Sequence, residues 1–117
     1  MQIIEFGPER ATPVTEYASR ETKARHLAAG TGEAHVYALH FGAGGEIGPH
    51  PAGFGQLLLI VAGVGWVAGG DGVRHAVRAG QGALIARGEL HSKGSDTGCS
   101  ALMIQLAELG PTSDRPA

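Results

Sequence analysis

Cysteine is nearly missing from this chain: Cys99 is the only one among 117 residues. An internal disulfide is therefore excluded, and with it a cross-linked secreted scaffold; the chain suits a reducing compartment, and the cytoplasm is the expected location. Aromatic side chains are scarce as well. With one Trp, two Tyr and three Phe, the core must be built mainly from Leu, Ile, Val and Ala. Charge of one sign is also lacking. Nine Lys and Arg against eleven Asp and Glu leave a formal charge of −2, with no basic cluster, so nothing electrostatic points to nucleic acid or an anionic membrane as a partner. Long apolar runs are absent too. The opening MQIIEFGPER holds too short a run for a signal peptide, and no later stretch approaches the ~18 apolar residues of a membrane span.

Glycine is what the chain has in abundance. Its 20 glycines are spread along the sequence rather than gathered in a tract, which signals many tight turns between short strands and argues against helices. The length suits one domain, since a second core normally needs a longer chain. An all-β fold is expected.

The pattern divides at about Glu33. Residues 1–30 read as an N-terminal arm with one short apolar run, Ile3-Ile4, and a polar stretch whose helix-like part lies around Tyr17 to Ala29. Residues 31–108 carry apolar runs separated by glycine, among them AHVYALHF, QLLLIVAG and CSALMIQL, and 109–117 read as a frayed tail. Gly69-Gly70-Asp71-Gly72 and Ser95-Asp96-Thr97-Gly98 are hairpin turn signals.

Alternate side chains on a strand face opposite ways. After Gly55, Gln56, Leu58, Ile60 and Ala62 face one side and Leu57, Leu59 and Val61 the other, so both faces of this strand are expected to be buried. A small barrel buries only its inner face. The outer row then needs a cover: a second sheet layer, the N-terminal segment, or another copy of the chain. A homodimer is expected, with the short N-terminal strand used in its packing.

Two glycine-framed segments carry the chemistry. GGEIGPHPAGFGQLLLIVAG sets His50 six residues before Gln56, and GQGALIARGELHSKGS sets Gly80 eleven residues before His91. Their pattern resembles the cupin superfamily, whose motifs are G-x5-H-x-H-x3-E-x6-G and G-x5-P-x-G-x2-H-x3-N. The first lies on Gly44, His50, Ala52, Gln56 and Gly63, the second on Gly80, Ala86, Gly88, His91 and Ser95, with every spacing kept. Four positions depart from it: Ala52 for the second histidine, Gln56 for the glutamate, Ala86 for the proline and Ser95 for the asparagine.

The resemblance implies a small jelly-roll β-barrel with a pocket at its mouth, where the family's three histidines and one glutamate hold a divalent metal. Carried over, His50 and His91 match ligand histidines, Gln56 matches the glutamate, and Ala52 cannot ligate. This leaves three neutral donors for a divalent transition metal, whether iron, nickel, copper, manganese or zinc. The loss of one imidazole and one negative charge weakens such a site, and a metal-free polar pocket accounts for the same residues equally well.

Other candidates rank lower. His40 lies opposite in parity to Tyr37, Leu39 and Phe41 and is a candidate replacement ligand or acid/base, with plain packing the simpler reading; Glu46 near His50 is a second candidate acid/base, with a loop carboxylate the simpler one. His26, His35 and His75 read as surface residues, and Cys99 as a small core residue. Gly63-Val64-Gly65-Trp66-Val67-Ala68 fits a dinucleotide-binding pattern, but a turn follows where that pattern needs a helix. Leu58 and Ile60, with Phe54, Trp66 and Met103, are expected to line an apolar pocket for a small-molecule ligand, apolar or carbonyl-bearing.

Two functions follow. One is a metal-dependent oxygenase or isomerase acting on a small carbonyl- or enol-type molecule, with Glu46 or His40 as acid/base. The other is a non-catalytic or regulatory small-molecule-binding module with a degenerate metal site. Fold does not choose between them.

Overall fold

The computed structural model describes residues 1–111 and is built almost wholly from strands. In chain order these are β1 (Gln2–Glu5), β2 (Thr12–Pro13), β3 (Lys23–Ala24), β4 (Ala29–Phe41), β5 (Glu46–Pro51), β6 (Gly55–Ala68), β7 (Arg74–Arg78), β8 (Gln81–Ile85), β9 (Leu90–Gly94) and β10 (Cys99–Gly110). The expected arm thus ends in a strand that starts at Ala29, and β10 runs to Gly110; the rest of the expected tail, 112–117, lies outside the described residues.

The strands form two layers that share β6. One layer has the order β1-β8-β6-β10-β4, and β7, β9 and β5 extend the other from the far half of β6. All pairings are antiparallel. Among the described residues the ladder does not close into a ring, so the fold is a jelly roll rather than a closed barrel.

β6 changes layers at Gly63. Its first half pairs with β8 and β10, its second half with β7 and β9, and the register with β10 slips between Ser100 and Ala101. Gly63 has φ +80, and a Cβ there would meet the Gly98 carbonyl oxygen at 2.5 Å. Only glycine takes this conformation with the partner strand so close, which gives the last motif glycine a physical role.

The hairpin expected at Gly69–Gly72 is present, whereas Ser95–Gly98 turns the chain between β9 and β10, which pair with other strands and not with each other. Gly72 N–H donates to the Gly69 carbonyl at 3.0 Å between β6 and β7. Between β9 and β10, Ser95 Oγ donates to Val64 O at 2.6 Å and accepts from Gly98 N–H at 2.8 Å. A serine can therefore tie this turn at the motif's asparagine position.

The helix expected around Tyr17 to Ala29 does not form. Tyr17, Ala18 and Glu21 take φ values of 60, 54 and 52, left-handed conformations that interrupt a right-handed helix, and Lys23–Ala24 pairs with Thr12–Pro13 instead. Among the described residues the one helical turn is the 3-10 segment Pro8–Arg10. No helix among the described residues is long and apolar enough to cross a membrane.

The inner core joins Leu58, Ile60, Val67, Val77, Ile85 and Met103, with Ala52 and Cys99. Each large aliphatic side chain buried there contributes about 1.5–3 kcal/mol of transfer free energy. A second cluster forms on the outer face of β6. Here Leu57 is covered by Ile4 of β1 and Leu84 of β8, with Leu27, Ala28 and Leu109 against them. The chain's own N-terminal arm therefore covers part of the outer row. Further along the same strand Val61 is 49% exposed, so the two-sided burial expected from parity stops short of the bend. β1 pairs with β8 of its own chain.

Candidate functional site

β9 is hydrogen-bonded on both edges, to β5 and to β6, which holds its backbone rigid inside the fold. His91 and Lys93 lie two residues apart on it and so share one face. Both point into the interior. His91 is 1% exposed, Lys93 2%, and Gln56, reached from the first half of β6, 3%.

These side chains meet. Lys93 Nζ donates to Gln56 Oε1 at 2.9 Å and to His91 Nε2 at 3.0 Å. Opposite His91 across the β5–β9 ladder stands His50, with ring centroids 4.5 Å apart. His91 Nδ1 donates to the Glu89 carbonyl at 3.2 Å, and His50 Nδ1 to the Gly48 carbonyl at 2.8 Å. These backbone contacts assign the proton to Nδ1 in each ring, so each Nε2 carries a lone pair. His50 is half-buried and is the member of the group nearest solvent.

Burial pushes the Lys93 ammonium down to about 8, and it lowers His91 as well, helped by the neighbouring Lys93 charge. At neutral pH the centre therefore holds a charged ammonium beside a neutral imidazole. No carboxylate among the described residues forms an ion pair with Lys93. The nearby Glu89 is engaged elsewhere: one oxygen accepts from Ala86 N–H at 3.0 Å and the other from the terminal ammonium of Met1.

His50, Gln56 and His91 thus lie around the Lys93 ammonium, a group absent from the expected donor set. As arranged, two of the three donors are turned onto Lys93, and a cation at that point would meet the ammonium charge. The set does not fit a divalent metal unless Lys93 moves or loses its proton. No cluster of three or more His, Cys, Asp or Glu suited to a metal occurs among the described residues. A signal for Lys93 was available: a lysine two residues after the motif histidine, between Ser92 and Gly94, has that histidine's parity.

The other two candidates lie apart. His40 is exposed on the outer face of β4, where its Nδ1 lies 2.9 Å from Ser100 Oγ of β10; the parity that turns Leu39 and Phe41 inward turns it outward. Glu46 is exposed at the start of β5, 3.3 Å from Arg74, whose guanidinium lies 3.8 Å over the Trp66 ring. Neither joins His50, Gln56 and His91. Of the expected lining, Leu58, Ile60 and Met103 are in the inner core, Trp66 is buried under Arg74, and Phe54 stacks on His35 at 5.7 Å.

Known structures share this architecture. A cupin superfamily protein from Desulfitobacterium hafniense matches with a TM-score of 0.59 and 15% identity, over 92% of this chain and 100% of that one. A protein with a double-stranded β-helix domain from Klebsiella pneumoniae matches with a TM-score of 0.58 and 21% identity, over 90% and 98%. A cupin-like protein from Thermotoga maritima gives 0.60 and 17%, over 69% and 65%. At these identities the likeness is one of fold. No curated protein matches the chain. Residues 33–108, from within β4 almost to the end of β10, match the AraC-like ligand-binding domain. With both motif histidines inside that stretch and a jelly roll around them, the chain belongs to the AraC-like ligand-binding domain family and is a cupin-type ligand-binding domain.

Proposed function

We propose that this domain is a non-catalytic, regulatory small-molecule-binding module that works without a metal ion, its polar centre being Lys93 with Gln56, His91 and His50. The observation that carries this reading is the Lys93 ammonium, 2.9 Å from Gln56 Oε1 and 3.0 Å from His91 Nε2. It supplies a fixed positive charge at the point where the cupin motifs converge. His40 and Glu46, on the surface, offer no acid/base group to a ligand held there. Elemental analysis of untagged protein, before and after incubation with iron, nickel, copper, manganese and zinc salts, tests the reading. Less than one-tenth of an equivalent (~0.1) is expected; stoichiometric metal that disappears in His91→Ala would overturn it.

A second reading keeps the metal-dependent oxygenase or isomerase. It is supported by the two histidines, whose Nδ1 protons go to backbone carbonyls, an outer-shell arrangement that metal-binding imidazoles use; the His50 Nε2 lone pair is then available to a ligand, and that of His91 once Lys93 withdraws from it. His50, Gln56 and His91 would hold the ion, which would polarise a carbonyl or enol oxygen, and Lys93 would have to give up its proton or its position.

The proposed assembly is a homodimer. Val36, Val61 and Leu102 are 67%, 49% and 40% exposed, and they continue the apolar outer face that the N-terminal arm covers only in part. Sedimentation at micromolar concentration tests it; a 12 kDa species alone would exclude it. A cytoplasmic location belongs to the same reading, supported by the lone, buried Cys99.

A further inference from the structure

A buried charge is costly unless something of opposite sign or several dipoles offset it. Lys93 is offset by two neutral acceptors, a carboxamide oxygen and an imidazole nitrogen. An ammonium has three N–H bonds, and among the described residues these two acceptors are its hydrogen-bond partners, so one N–H remains to be satisfied. The centre therefore carries one uncompensated positive charge and one free donor. Its neighbours are apolar: Val67 lies opposite Lys93 and Ile85 opposite Gln56 in the ladders, and Leu58 and Ile60 are buried in the same core. Ala52 stands where the family motif has an imidazole, so the centre has lost one bulky polar group.

We infer that the ligand of this site is a small monocarboxylate whose carboxylate pairs with the Lys93 ammonium, its apolar remainder resting on the aliphatic wall. This rests on the metal-independent reading proposed above. The chemistry selects the class. A single charge with one free N–H matches a monoanion, and a charge-assisted hydrogen bond in a dry site is among the stronger polar contacts available. A phosphate dianion would ask for several donors and a second positive charge. Two of the arginines outside the centre are held in surface ion pairs, Arg74 with Glu46 and Asp96 and Arg87 with Glu108. A sugar would ask for a bank of donors and acceptors, whereas the acceptors Gln56 Oε1 and His91 Nε2 are already spent on Lys93.

The inference is tested with pairs that differ only in charge: acetate, butanoate and benzoate against acetamide, butanamide and benzamide. Binding is read by calorimetry and by thermal shift at fixed ionic strength, on wild type, Lys93→Met and Lys93→Arg. Metal content is measured on the same samples. At least one carboxylate should raise the melting temperature of the wild type in a saturable way, and its amide should bind at least ~10-fold more weakly. Lys93→Met should lose that preference while circular dichroism stays native. Retention of any preference by Lys93→Arg would separate charge from shape. The inference is overturned if no carboxylate binds the metal-free protein, if each amide binds as well as its acid, or if Lys93→Met keeps the preference. Carboxylate binding that requires stoichiometric metal would overturn the underlying reading instead.

Discussion

Lys93 Nζ and His91 Nε2 lie 3.0 Å apart on one face of β9, a cation and the lone pair that the cupin motif reserves for a cation. Gln56 Oε1 completes the contact from the opposite layer at 2.9 Å. A four-carbon stem thus carries a positive charge from one layer of the jelly roll to the other.

That charge makes stability depend on pH in a particular direction. The folded-state pKa of Lys93 is lowered to about 8 from 10.5, so the folded protein holds fewer protons than the unfolded chain between those values. The stabilisation is fully present above 10.5 and is lost as pH falls through 8. Relative to Lys93→Met, wild type should gain stability between pH 8 and 10.5, with an upper bound on the order of 3 kcal/mol. His91, lowered from 6.5, contributes in the same sense at acid pH: its stabilisation is present above 6.5 and is lost below it. Urea denaturation from pH 5 to 10.5 on wild type, Lys93→Met and His91→Gln checks both limbs; a flat difference curve would contradict them.

Removing the tethered cation should uncover a metal site. In Lys93→Ala, Gln56 Oε1 and His91 Nε2 lose their shared donor, and His50 stays opposite His91 with its Nδ1 held by Gly48. The variant should bind Ni²⁺ or Zn²⁺ at least ~10-fold more tightly than wild type at pH 7, as measured by calorimetry. Equal affinity would mean that Lys93 does not block the position.

Gly94 fixes the depth of β9 beside Lys93. A Cβ there would lie 2.5 Å from the Gly45 carbonyl oxygen and 2.7 Å from Trp66 Cζ2, and the carbonyl, which accepts from Ser95 N–H at 3.0 Å, cannot retreat without losing that bond. Gly94→Ala should cost about 2 kcal/mol or more and shift the denaturation midpoint accordingly. The control is Gly48→Ala, where a Cβ would meet nothing within 4 Å; its cost should be much smaller.

Leu102, 40% exposed on the outer face of β10, faces solvent between Leu59 of β6 and Ala38 of β4. Leu102→Glu should shift a homodimer toward monomer in sedimentation experiments while changing the monomer's stability by less than ~1 kcal/mol. Unchanged sedimentation would place the contact elsewhere.

Much of the fold was legible because its signals are local. Glycine-rich turns, alternation of apolar residues and the spacing of two motifs each depend on neighbours within a few residues, and strand geometry turns them directly into structure. The helix expected near Tyr17 failed for the complementary reason. Weak helical pattern loses to a pairing between Thr12–Pro13 and Lys23–Ala24 that only the folded chain reveals. The outer face of β6 needs a cover, and Leu27 and Ala28 of the arm pack against the cluster that Leu57 forms with Ile4 and Leu84 in its own sheet, while Val61 stays 49% exposed.

By itself the sequence determined that glycine-framed β-strands would carry His50, Gln56 and His91, and that Lys93 would share the face of His91, since period-two alternation leaves no choice. Only the tertiary structure decided that the Lys93 ammonium ends between Gln56 and His91. That outcome depends on the separation of two layers and on which side chain of β6 lies opposite β9, distances set by the packing of Leu58, Ile60 and Val67 and by no local pattern.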